Sequence, residues 1–236
     1  MTARGPRVAA VLLAAGESRR MGGIDKRLLT LDGVPLVRRW LDVFRGAGIT
    51  DVVVVLGHEP QRVRPLLEGS GATVVVNPGY RRGQQSSVLA GLAALPGGID
   101  AVLVALVDLV LVDAQDLREL IDAFVARPAG TAIVVPFHRG SRGNPVIVSA
   151  EVASAVASGH ELAAPGGDPR AASPDPSSAG PEPGGLRAYL QSHPGEVHRH
   201  EAGNDHFVVD LDTREDIARL ERRLGRAFGN DGAGRS

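Results

Sequence analysis

The 236-residue chain contains no cysteine. That absence removes disulfides, thiolate nucleophiles, iron–sulfur clusters and cysteine-ligated zinc from its chemistry. Long apolar runs are also missing: each stops well short of the roughly 20 residues a helix needs to cross a bilayer. Neither charge is in excess, since 26 Lys and Arg stand against 27 Asp and Glu for a net charge of −1. No surplus of cations is therefore available to neutralise a nucleic-acid backbone. The first apolar run, 8–15, leads straight into Gly16-Glu-Ser-Arg-Arg instead of a small-residue cleavage site, so no secretory leader is expected. What remains is a cytoplasmic enzyme or small-molecule binding protein, with no nucleic-acid and no membrane partner.

Short β-branched runs alternate with amphipathic stretches. Residues 8–13, 52–56, 73–76, 101–107 and 131–135 are apolar on both faces, as strands buried in a parallel sheet are. Between them, 34–45, 61–68, 87–95 and 114–126 space apolar residues three and four apart and predict helices. In the last of these Leu117, Leu120, Ile121 and Phe124 mark the buried face, and Asp113 is positioned to cap it. Such alternation predicts an α/β fold, a twisted and mainly parallel sheet covered on both faces, with ligands at the carboxyl edge of the strands. From 161 to 185 proline and glycine dominate and large aliphatic residues nearly vanish, which predicts a flexible insertion. Beyond it a helix is expected at 186–191, a strand at 207–211 and a helix at 213–224. Thr213 and Asp216 have capping-box spacing for that last helix. The reading is one domain, 1–228, and a disordered tail at 229–236.

Three polar loops fall at the expected ligand edge. The first follows the opening strand and carries Ala14, Ala15 and Gly16, small enough for backbone N–H groups to approach an anion, then Ser18, Arg20 and Lys26. It has neither the Gly-Lys-Ser/Thr of a P-loop nor the GxGxxG of a dinucleotide fold. Taken alone it fits either a triphosphate cradle or a glycine-rich turn with solvated arginines. The second carries Asn77 and Ser86, whose side chains suit reading a base edge or capping a helix. Asp108 ends the fourth strand, either as an exposed strand-end acid or as a Mg²⁺ ligand. Asp210 and Asp212, just before the last helix, are candidates to join it at a metal. His198 and His200 share one strand face but have no evident third ligand.

In their order these segments resemble the MobA/MocA-like nucleotidyltransferases, a branch of the GT-A-type nucleotide-diphospho transferases. The matching motifs are Leu13-Ala-Ala-Gly16-x-Ser-x-Arg20-Met-Gly22, Asp25-Lys26-x-Leu-Leu29, Gly33-x-Pro-Leu36, Asn77-Pro with Ser86-Ser-Val-Leu-Ala-Gly-Leu92, Asp108, Gly143-Asn-Pro-Val146 and Asp210-Leu-Asp-Thr-x-Glu-Asp216. The resemblance implies a Rossmann-like three-layer α/β/α sandwich with a mostly parallel mixed sheet. It implies that the loop of Leu13, Ala14, Ala15, Gly16 and Ser18 wraps an NTP's phosphates, with Arg20 and Lys26 as cations and Asn77 and Ser86 near the base or ribose. Asp108, Asp212 and Asp210 would hold Mg²⁺, and Arg20, Lys26 and Asp108 would be catalytic.

The implied reaction moves an NMP group to an acceptor phosphate and releases pyrophosphate. Leu-Ala-Ala-Gly with the Ser-Ser-Val-Leu-Ala-Gly-Leu loop is most similar to the molybdenum cofactor cytidylyltransferases, which implies CTP, Mo-molybdopterin and a recipient molybdoenzyme as partners. Gly22-Gly-Ile-Asp-Lys26 is more similar to the guanylyltransferase branch. Sugar-phosphate nucleotidyl transfer, and a non-catalytic chaperone that binds nucleotide or cofactor, are the other readings. The chain departs from the family pattern at Leu109-Val110, at Gln84-Gln85 and in the 161–185 segment.

Overall fold

The computed structural model describes residues 5–158 and 185–230. The first half runs β1 (Val8–Ala14), β2 (Leu29–Leu31), β3 (Val34–Pro35), α1 (Leu36–Gly46), β4 (Asp51–Leu56), α2 (Pro60–Val63), β5 (Thr73–Val76), α3 (Gln84–Leu92) and β6 (Ala101–Leu106). The second runs α4 (Ala114–Val125), β7 (Ile133–His138), β8 (Ser141–Arg142), β9 (Val146–Ser149), α5 (Ala150–Ala157), α6 (Gly185–Ser192), β10 (Val197–Glu201), α7 (Arg214–Leu224) and β11 (Phe228–Asn230).

The main sheet has the order β10-β7-β9-β6-β1-β4-β5, with β8 added to β7. Central β1 is parallel to both neighbours: Leu12 lies opposite Val54 of β4 and Ala105 of β6. The β4–β5 and β7–β10 pairs are parallel as well, while β9 runs antiparallel between β6 and β7. The sheet is therefore mixed and mostly parallel, as expected.

Side chains alternate between two cores because strand residues alternate faces. On one face Leu12, Val54, Leu103 and Ile147 meet Trp40 and Phe44 of α1, Leu117 and Leu120 of α4 and Leu220 of α7. On the other, Val11, Val53, Val104 and Val148 meet Val88 of α3, Val152 of α5 and Leu186 of α6. These are the three layers. Asp113 caps α4 by accepting from Gln115 N and Asp116 N, and Thr213 caps α7 with Asp216, both as capping boxes.

The structure corrects several elements. The 61–68 helix breaks into α2 and a 3-10 turn over Arg64–Leu67, because Pro65 cannot continue an α-helical ladder. Residues 207–211 are not a strand: Phe207 and Leu211 are buried, but Phe207 O accepts from Asn144 N (2.9 Å) and Leu211 N donates to Asp108 O (3.1 Å). Gly229 and Asn230, expected in a frayed tail, pair with β2 instead. Gly185, expected in the insertion, opens α6; 161–184 and 231–236 lie outside the described residues. His198 and His200 lie on β10, beside β7.

Candidate functional site

Parallel strands deliver their following loops to one edge of the sheet. The loop after β1, the loop after β6 and the segment before α7 meet there around one lysine. Lys26 Nζ donates to Asp108 Oδ2 and, at 3.1 Å, to Asp212 Oδ1. Arg20 Nη2 reaches Asp212 Oδ2 at 2.6 Å from the solvent side. Lys26 and Asp108 are each 14% exposed, so this ion pair is largely removed from solvent screening. Burial acts to depress the Lys26 ammonium, but the Asp108 and Asp212 carboxylates outweigh it and hold the lysine above its ordinary value. Partial burial, then the charges of Asp212 and Asp108, push the Asp210 carboxyl upward. The five residues thus form one electrostatic unit drawn from three distant parts of the chain.

The loop after β1 supplies donors. Leu13 and Ala14 still lie in β1, so what they offer toward the edge is backbone. Ala15 O accepts from His58 N (3.1 Å) and Ala14 O from buried Arg27 (3.3 Å), which anchors the loop's start. Ser18 takes a left-handed conformation, φ 52°, and its Oγ accepts from Lys26 N at 3.2 Å. Among the described residues no hydrogen bond engages the N–H groups of Gly16, Glu17 or Ser18. A run of free N–H groups over a cationic floor is the arrangement that takes an anion.

Asn77 and Ser86 do come together, but with each other. Asn77 Nδ2 donates to Ser86 Oγ (2.9 Å) and Ser87 Oγ (3.0 Å), its Oδ1 accepts from Gly79 N (2.9 Å), and all three side chains are buried. Ser86 is not the helix cap: Gly83 holds that position, and Ser86 Oγ donates back to Gly79 O and Gly83 O. These amides and hydroxyls shape the loop between β5 and α3.

Several supporting residues carry no motif of their own. Arg27, 1% exposed, forms a two-pronged pair with Asp25 (2.7 and 2.6 Å) and donates to His58 O (2.6 Å), tying the loop after β1 to the end of β4. Glu17 bridges Arg19 (2.6 Å) and Arg81 (2.9 Å), and these guanidiniums, Arg19 first, hold its carboxyl down to about 2. Arg214 of α7 donates to Met21 O (3.2 Å) and Gly22 O (2.6 Å), clamping the loop from the opposite side. The signal for these is weak in sequence, since each is a charged residue in a polar loop. A separate cluster of Asp113, Asp116 and His206 has its ligand atoms within 4.8 Å of one another. It is already engaged: Asp116 accepts from Asp113 N, Asn204 Nδ2 and His206 Nδ1, which fastens the 204–206 turn to α4.

A sheet covered on both faces, with this loop at its carboxyl edge, is the architecture of the nucleotidyltransferases. More narrowly, the chain belongs to the MobA-like NTP transferase domain family, whose profile matches residues 10–170. It is 39% identical over 103 residues to a molybdenum cofactor guanylyltransferase of Cereibacter sphaeroides, a stretch covering 43% of this chain and 50% of that protein. It is 35% identical over 129 residues to the bifunctional protein GlmU of Pelobacter propionicus, covering 54% of this chain and 28% of GlmU. The matched stretch is therefore half or less of either relative. Among solved structures, Rv0371c of Mycobacterium tuberculosis superposes with a TM-score of 0.68 at 26% identity, covering 93% of this chain and all of that one. A second structure of Rv0371c, in complex with manganese, gives 0.62 at 24% identity over 91% and 97%.

Proposed function

We propose that the protein moves an NMP group from an NTP to a phosphate-monoester acceptor of the molybdopterin type, with CTP as donor and pyrophosphate as the leaving group. The observation that carries this reading is Lys26 bridging Asp108 and Asp212 below the unengaged N–H groups of the first loop. An acceptor phosphate oxygen attacks the α-phosphorus, and the bond from that phosphorus to the bridging oxygen of pyrophosphate breaks. A phosphomonoester with a second pKa near 6 is already ionised at neutral pH, so the step needs no general base. Lys26 and Arg20 offset the charge that gathers on the triphosphate, and the Gly16–Ser18 backbone holds it in line.

The carboxylates fit a hard divalent cation. Asp108 Oδ1 is buried with no hydrogen-bond partner among the described residues, and Asp212 and Asp210 add only oxygen donors. Mg²⁺ or Mn²⁺ held there would shield charge on the α-phosphate and on pyrophosphate. GTP is the second reading, favoured by the likeness to the guanylyltransferase.

Thermal-shift measurement with CTP, GTP, ATP and UTP, each with and without Mg²⁺, tests the reading without knowledge of the acceptor. The expected result is a Mg²⁺-dependent rise with CTP that Asp108→Asn removes. A larger rise with GTP transfers the assignment to guanylyl transfer, and no rise with any nucleotide overturns it.

A further inference from the structure

A cavity of about 200 Å³ opens on the face of the sheet covered by α3 and α6. Val104 and Leu106 of β6, the strand that leads into Asp108, form part of its lining together with Val88. Among the described residues its polar lining consists of Arg142, Arg187, Gln84, Gln85 and Asn144, with no acidic side chain. Arg142 stands beside the Gly143-Asn-Pro-Val146 motif on β8, and Arg187 is in the first turn of α6. Neither guanidinium forms an ion pair among the described residues. Burial, and then the charge of Arg187, depress Arg142. Two like charges converging on one cavity without a carboxylate repel each other, and an anion between them reverses the sign of that interaction.

Both arginines are exposed, and what the fold fixes is the backbone that carries them. Gln85 Oε1 accepts from Arg187 N at 3.4 Å, and a Cβ on Gly185 would stand 2.2 Å from that same oxygen, so α6 starts close against the Gln85 side chain of α3. Leu186 and Leu190 are buried, and Tyr189 Oη donates to Glu196 Oε2 at 2.9 Å, which fixes the rest of the helix.

We infer that this cavity is the acceptor site, with Arg142 and Arg187 together taking the dianionic phosphate of the acceptor while its carbon frame rests on Val104 and Leu106. This rests on the nucleotidyl-transfer reading and specifies its acceptor class. The acceptor is a phosphomonoester on a flat or apolar frame, with polar edges that Gln84, Gln85 and Asn144 can hydrogen-bond; a neutral hydroxyl acceptor would leave two cations facing each other. Arg142 and Arg187 are specificity residues for the acceptor and do not belong to the nucleotide loop.

Calorimetric titration of the full chain with phenyl phosphate, a dianion on a flat apolar ring, tests this, with phenyl sulfate as the singly charged control. Saturable binding of phenyl phosphate, tighter than of phenyl sulfate, is expected. Arg142→Gln and Arg187→Gln should each weaken it about tenfold, as loss of a charged hydrogen bond does, with partial recovery in the lysine variants. The same variants should bind CTP and GTP within about twofold of the wild-type protein. Lys26→Met should lose nucleotide binding and keep phenyl phosphate. Absence of phenyl phosphate binding, or binding indifferent to both arginines, overturns the acceptor site even where nucleotide binding is intact. Parallel loss of nucleotide and phenyl phosphate in the arginine variants also overturns it, because the pair would then serve the nucleotide. A wild-type protein that binds phenyl phosphate through the two arginines but no nucleotide upholds the anion site and overturns nucleotidyl transfer instead.

Discussion

Lys26 does two jobs with one ammonium group: it neutralises Asp108 and Asp212, and it stands under the loop proposed to wrap the triphosphate. Methionine at this position keeps the length and removes the charge. Two carboxylates then face each other with only the 70%-exposed Arg20 as counter-charge. Breaking one side of a fully buried pair costs about 3–5 kcal/mol, and the residual exposure here lowers the expectation to about 2 kcal/mol. Urea unfolding of Lys26→Met should show that loss, and Mg²⁺ should recover part of it, since a divalent cation can replace the missing positive charge. Pyrophosphate release should fall by about 10²–10³-fold, the usual effect of removing one charge-stabilising donor at a reacting phosphate or acyl centre. A variant as stable and as active as wild type would remove Lys26 from the proposed chemistry.

At the scale of elements, two glycines separate what the fold requires from what a ligand requires. A Cβ on Gly91 would lie 2.4 Å from Val11 Cγ1 and 2.9 Å from Val55 Cγ2, so Gly91→Ala pushes α3 away from β1 and β4. Overpacking of this kind costs about 1–3 kcal/mol, against a gain of about 1 kcal/mol in helix propensity. A Cβ on Gly16 meets nothing within 4 Å. Gly16→Ala should therefore leave the urea midpoint unchanged and weaken the nucleotide-dependent thermal shift, while Gly91→Ala should lower the midpoint itself. Equal loss of stability in both would mean that the loop is part of the core.

The same contrast explains what was legible in the sequence. Strands β1, β4 and β6 read correctly because both their faces are buried, so apart from Asp51 at the start of β4 every residue is apolar. Residues 207–211 misled for a related reason: Phe207 and Leu211 are core residues, but they belong to a loop whose backbone bonds go to Asn144 and Asp108 instead of a strand. Strands β2, β3 and β8 are two or three residues long, too short to show a period. Asp108, Asp212 and Lys26 were each visible through motifs, and the two carboxylates were expected to meet, but the bridge that Lys26 makes to both across 82 and 186 positions was not legible. Arg142 and Arg187 stood in no recognised pattern. Their convergence depends on how α6 packs against α3.

On the scale of the whole molecule, the C-terminal segment fastens the site. Asp212 precedes α7, Arg214 holds the first loop, Arg226 pairs with Asp32 (2.9 Å), and β11 joins β2. Arg223 grips Asp205 through two bonds of 2.7 and 2.6 Å, pinning α7 to the segment that runs from β10 toward Asp210. The Arg223 guanidinium holds the Asp205 carboxyl below its ordinary value, with partial burial opposing it. A carboxylate depressed in the folded state binds its proton less readily there than in the unfolded chain. Its stabilising contribution is therefore complete above the unfolded value, about 3.9, and is lost as pH falls through the lower folded one. Asp205 is 34% exposed and Arg223 40%, so screening limits the pair to about 1 kcal/mol or less. Urea titrations from pH 6 to pH 2.5 should show Asp205→Asn less stable than wild type by that amount at pH 6, with the two curves converging at the acid end. A gap that persists undiminished at pH 2.5 would mean the asparagine disturbs the 204–206 turn instead, and curves that coincide at pH 6 would mean the pair contributes nothing to holding α7 over the site.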